Sequence, residues 1–132
     1  MSDIERVLQF WMEPRPVTAE DLAARWKYWF FSGGEDVDRD IRDRFGPLVE
    51  AARRGSLDGW TSTPRGTLAL IILIDQFSRN IYRGTPEAFS ADGHALRIAA
   101  EGYDAGRFAG FDVNESMFAS MPFRHAEDLT AQ

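Results

Sequence analysis

The chain has 132 residues, no cysteine, 44% hydrophobic side chains including ten Phe and four Trp, and a formal net charge of −6. That length and apolar content fit one domain with its own core and exclude a disordered chain, and the missing thiols exclude disulfides, thiolate catalysis and cysteine-ligated zinc. The acidic balance argues against nonspecific nucleic-acid binding, which needs a basic face, and the longest apolar run is too short to span a membrane.

The N-terminus lacks the basic start and long apolar region of a signal peptide, and with the absent cysteines this predicts a cytoplasmic location. Ser2 to Glu5 has capping-box spacing, and Ile4, Val7, Leu8 and Trp11 follow at helical intervals. Pro14 and Pro16 end this helix, with Phe10 and Trp11 expected in the core. Thr18 opens a second helix, with Asp21 three residues on and an apolar face of Leu22, Trp26, Trp29 and Phe30. Ser32-Gly33-Gly34 stops it.

A third helix is predicted from about Asp36 to Arg54, with Val37, Ile41, Phe45, Leu48, Val49 and Ala52 buried. Asp38–Arg42 and Asp40–Arg44 are i,i+4 pairs on what reads as a solvated face. Pro47 lacks an amide and should kink or split this helix. Gly55 caps it, and Trp60 falls in the following loop.

The stretch Thr63–Gly84 is the centre of the chain. Thr63-Pro64 is a helix start, since the hydroxyl can cap first-turn amides and proline needs no donor there. Leu68–Ile74 is apolar at every position and has to be covered on all sides. Beyond it, Asp75, Gln76, Arg79, Asn80 and Arg83 fall within an arc of roughly 140° at α-helical spacing. Polar groups next to a core need partners. Two readings are open: an internal network that locks helices together, or a pocket in which the arginines meet a carboxylate or phosphate.

Thr85-Pro86 repeats the helix start. The fifth helix, about Pro86 to Asp104, carries Phe89, Leu96, Ala99 and Tyr103 on one face with Asp92 among them. A carboxylate there needs a cation, so a pair between Asp92 and Arg79 or Arg83 is expected. His94 points away from that stripe, toward the surface. Asp112 to Glu115 is a further capping-box spacing, opening a short helix that Pro122 ends; a last helix then carries His125 and Glu127. The whole reads as all-α, an array of about six to seven short antiparallel helices with no strand signal.

Several segments carry a family resemblance: Phe10-Trp11, Phe45-Gly-Pro-Leu48, DQFSRNIYRGTP within Leu68–Pro86, Phe89-Ser-Ala-Asp92 and MPFRHAEDLTAQ. Over nearly its whole length the chain resembles the bacterial family called domain of unknown function 924. The resemblance implies a helical, TPR-like fold over residues 1–132 and no known activity. Ser78 stands where the family usually has proline, and Ser120 and Arg124 stand where tyrosine and glutamate are usual. Family members generally continue for further helices beyond the position of Gln132. A groove those helices covered would be open here or filled by a second copy, as a homodimer.

The candidate site is therefore Asp75, Gln76, Arg79, Asn80, Arg83 and Asp92, joined by His125 and Glu127. No cofactor is expected. The spacing of His125 and Glu127 is not a zinc pattern, so no metal is expected either. Two functions follow from different classes. One is a TPR-like binding module whose polar face receives a peptide or small acidic ligand. The other is an enzyme using Asp75, His125 and Glu127 for acid–base chemistry, with Arg79 and Arg83 as anion anchors. A walled pocket with a histidine–carboxylate contact favours the enzyme; an open groove lined by Asn and Arg favours binding.

Overall fold

The computed structural model describes residues 1–13, 16–31 and 34–131, with the backbone alone for Phe30, Phe31 and residues 128–131. The expected stops at Pro14 and at Ser32-Gly33, and the Phe30 side chain, lie outside the described residues. The described chain is all-α, with no strand.

Helix α1 (Asp3–Met12) begins as its sequence predicts, with Ser2 Oγ accepting from Glu5 N at 3.2 Å. The Glu5 carboxylate does not turn back to complete the box; it takes both Arg65 Nε and Nη2 at 2.8 Å. Val7, Leu8, Trp11 and Met12 are buried. Helix α2 (Ala19–Trp26) is capped by Thr18, whose Oγ1 accepts from Asp21 N at 3.0 Å. No residue of α2 is buried, and Leu22 and Trp26 are 38% and 37% exposed, so its apolar stripe is not the core face the sequence suggests. A π-helical turn over Lys27–Phe31 widens the register, and only then does Trp29 enter the core, donating Nε1 to Trp11 O at 2.9 Å.

Helix α3 (Gly34–Arg53) runs through Pro47 without being split. Pro47 is exposed, so the Asp43 carbonyl it leaves without an amide can turn to water. Ile41, Phe45, Val49 and Ala52 form the buried stripe, while Val37 and Leu48 are only half-buried. Asp38 lies in that stripe, three residues before Ile41, and is buried too. Gly55 ends the helix at φ +85°, where an L side chain would be strained, and Ser56 N closes on Ala51 O at 3.0 Å.

A 3-10 turn (Asp58–Ser62) leads into α4 (Pro64–Ile71), which passes into a π-helical segment (Ile72–Phe77) and then α5 (Ser78–Ile81). Thr63 Oγ1 accepts from Gly66 N at 3.0 Å. A Cβ on Gly66 would lie 2.1 Å from Trp60 O, so only glycine lets the turn sit on the helix start. Every side chain from Leu68 to Ile74 is buried, as the uninterrupted apolar run requires. Helix α4 packs against α1, α6 and α7, and the π segment and α5 pack against α3. Trp11 meets Phe77 and Phe118 edge-on at centroid distances of 5.5 and 5.8 Å.

After a 3-10 turn at Pro86–Ala88, α6 spans Asp92–Asp104. The expected single helix from Pro86 is thus broken at residues 89–91, and the predicted face rotates with it. Phe89 is 56% exposed and Tyr103 is exposed, while Ala95, Ile98, Ala99 and Gly102 are buried. His94 is not a surface residue: its Nε2 lies 3.0 Å from Asp58 Oδ1 with the ring mostly covered. Helix α7 (Val113–Ala131) starts on a complete capping box, Glu115 N to Asp112 Oδ1 at 2.8 Å and Asp112 N to Glu115 Oε1 at 3.0 Å. It continues through Pro122, so the two short helices expected there are one, held in line by packing on α4, α6 and the π segment.

Candidate functional site

The polar end of the central helix separates into rows that face different neighbours. Residues 75 and 79 form one i,i+4 row and residues 76, 80 and 83 the next. Adjacent rows on a helix point about 100° apart, so one row meets α6 and α7 while the other meets α3.

The first row is Asp75 and Arg79. Asp75 is 1% exposed, and its Oδ1 accepts from Arg79 Nη1 at 3.3 Å and lies 2.8 Å from His125 Nδ1. Arg79 donates Nη1 and Nη2 to the two Asp92 oxygens, each at 2.9 Å, and Nη1 also reaches Asp75 O at 2.9 Å. The expected Asp92–arginine pair is therefore made by Arg79, bidentate, in the first turn of α6, where the helix dipole also favours a carboxylate. The Phe89 ring covers the Arg79 guanidinium at 5.3 Å, which explains why this aromatic sits outside the core. His125 comes from α7, three residues beyond the proline expected to end the preceding helix. Glu127 is exposed and makes no contact with this cluster among the described residues. Ser120 donates to Met117 O at 2.8 Å and does not touch His125.

The second row meets a residue absent from the sequence-derived site. Asp38 receives Arg83 Nε at 2.7 Å, Arg83 Nη2 at 3.0 Å and Asn80 Nδ2 at 3.0 Å. Gln76 Nε2 donates to Asn80 Oδ1 at 3.3 Å, fixing the amide that faces Asp38. Burial pushes the Asp38 carboxyl up, but the hydrogen bonds from Arg83 and Asn80 outweigh it and hold the group below the usual carboxylate range. The same bond raises the Arg83 guanidinium. The Asp38–Arg42 surface pair read from i,i+4 spacing is thus replaced by a cross-helix pair; Asp40–Arg44 forms as expected at 2.6 Å. The signal for Asp38 was its place in the Ile41–Phe45 stripe, the same signal that singled out Asp92.

Ser78, between the rows, is buried and accepts from Arg53 Nη1 at 3.0 Å. Arg53 also reaches Glu87 O at 3.1 Å and Ser90 Oγ at 2.6 Å and lies over Tyr82 at 4.8 Å, tying α3 to the turn after α5. The predicted single cluster is therefore three adjoining networks.

Around the second row, Glu35, Asp38, Arg39, Arg42, Asn80, Ile81 and Arg83 line an open depression of about 390 Å³. Arg83 is the most solvent-reaching member of its pair, with its side chain 59% exposed. Arg42 makes no ion pair among the described residues, and Arg39 holds only a loose 3.5 Å contact to the exposed Asp36. Among the described residues no group of three or more His, Asp or Glu side chains is placed to hold a metal, and no helix is long and apolar enough to cross a membrane.

No curated protein matches the chain. Its fold is similar to the structure of ATU0120, a protein of unknown function from Agrobacterium tumefaciens, with a TM-score of 0.81 and 32% sequence identity. The match covers 97% of this chain and 66% of that one, so the chain spans just under two thirds of its neighbour's length. The sequence profile of the bacterial proteins of unknown function called DUF924 matches residues 7–132, and with 126 of its positions inside that match the chain belongs to the DUF924 family.

Proposed function

We propose that this protein is a TPR-like binding module, and that the open depression between α3 and α5 receives the anionic group of a peptide or small acidic ligand. The observation that carries this reading is the convergence of Arg39, Arg42 and Arg83 with the Asn80 amide on one recess in a chain that is acidic overall. Asp38 occupies two of the Arg83 donors and so orients its guanidinium, while Arg42 has its full set of donors available. Arg79, the residue first suggested as an anchor, is already neutralised by Asp92 and Asp75, which moves the ligand role to the neighbouring row.

The test is a thermal-shift titration with inorganic phosphate, citrate and a polyglutamate peptide on wild type and Arg42→Ala. Arg42 is exposed, so its removal leaves the fold intact. A wild-type midpoint that climbs with anion concentration, as linkage requires, and a variant that does not respond support the site. Equal responses, or no response to any of the three in wild type, remove it.

A further inference from the structure

The contact between His125 and Asp75 is not used by the anion-binding reading, and its geometry is that of an oriented base. Asp75 lies in the π-helical segment, and such segments recur at functional sites. A carboxylate only accepts, so the 2.8 Å contact places a proton on Nδ1, which in the neutral imidazole leaves Nε2 as the acceptor. Nε2 then carries the lone pair. It has no hydrogen-bond partner among the described residues, it is not one of the nitrogens sealed off without a partner, and the side chain is 20% exposed. Beside it, Arg79 Nη1 donates to the same Asp75 oxygen at 3.3 Å. An imidazole aligned by a buried carboxylate is the acid–base pair that activates water for attack on a carbonyl.

We propose that the Asp75–His125 pair is an acid–base centre that hydrolyses a carboxylic ester. Nε2 of His125 takes a proton from water as the water oxygen bonds to the carbonyl carbon. The carbon–oxygen bond to the alcohol portion then breaks, and the proton passes from Nε2 to the departing alkoxide, giving acid and alcohol and restoring neutral His125. Asp75 is a positioning residue, since it acts only by holding the imidazole in the right tautomer.

The chain has two histidines, and the other is an internal control. His94 uses Nε2 itself on Asp58, and its side chain is 14% exposed against 20% for His125. Diethyl pyrocarbonate acylates an unprotonated imidazole nitrogen, and peptide mass spectrometry resolves the two sites. The expected result on the wild-type chain is labelling of His125 roughly tenfold faster than His94, with p-nitrophenyl acetate hydrolysis above that of equimolar imidazole, lost on labelling and restored by hydroxylamine. Asp75→Asn, checked by circular dichroism, is expected to slow His125 labelling roughly tenfold and change its pH profile, because an amide can donate to Nδ1 and reverse the tautomer. If that variant does not fold, the wild-type labelling ratio alone decides. His125 labelled no faster than His94, or ester hydrolysis that survives its labelling, overturns the proposal.

Discussion

At the residue scale, two of the three bidentate arginine–carboxylate pairs among the described residues, Arg79–Asp92 and Arg65–Glu5, differ in exposure and should differ in worth. Arg79–Asp92 is mostly covered, with side chains 19% and 15% exposed, and Asp75 beneath it is sealed from solvent. Arg65–Glu5 has equally short bonds but both side chains are close to half exposed. Removing one member of a buried pair leaves a charge without a partner, so Arg79→Ala is expected to cost about 3 kcal/mol in urea denaturation. Arg65→Ala is expected to cost less than about 1 kcal/mol. A larger loss for Arg65→Ala would mean that burial does not rank these pairs. The sequence made Arg79–Asp92 legible because a carboxylate in an apolar stripe demands a cation. It hid Asp38–Arg83 because i,i+4 spacing offered Asp38 a nearer arginine, Arg42, and local spacing says nothing about which side of a helix is covered. Glu127 was misplaced for the opposite reason: two positions from His125, it turns away from the helix face that His125 shares with Asp75.

At the scale of elements most start signals hold, while Thr85 makes no capping bond and opens only a 3-10 turn. Ser2, Thr18, Thr63 and Asp112 each cap the helix their spacing announces. The π-helical turns at Lys27–Phe31 and Ile72–Phe77 have no sequence signature at α-helical spacing, yet they decide which of Trp26 and Trp29 is buried and where Asp75 points. Pro47 is not a split and Pro122 is not an end, because tertiary packing carries both helices through. Helix-start geometry gives a sharp test at Gly66. Its absent Cβ is replaced by Trp60 O at 2.1 Å, a backbone atom fixed by the 3-10 turn, whereas Gly102 faces the tip of the Phe108 ring at 2.3 Å. A ring can swing and a carbonyl in a turn cannot. Gly66→Ala is therefore expected to lose about 3 kcal/mol and Gly102→Ala about half that, both read from urea midpoints. The reverse order would show that the 3-10 turn yields more easily than the packed ring.

Across the whole molecule, ion pairs join segments far apart in the chain, Glu5 to Arg65 and Asp38 to Arg83, and both carboxyls sit below their usual range. A carboxyl lowered by folding takes up protons more readily in the unfolded chain, so stability rises with pH across that interval and is complete above the ordinary carboxylate value of about 4. As pH falls through the lowered folded value, the contribution is lost. The exposed Glu5 pair adds little because water screens it. Asp38, buried between α3 and α5, carries the effect, since its protonation leaves Arg83 and the Asn80 amide facing a neutral group. Asp38→Asn is expected to be about 2 kcal/mol less stable than wild type at pH 7, with the gap closing below about pH 4 as the wild-type carboxyl itself becomes neutral. Urea midpoints of both proteins between about pH 2 and 7 read this directly. Parallel curves with a constant gap would mean that Asp38 stabilises the helix pair by its shape and hydrogen bonds alone, with no contribution from its charge.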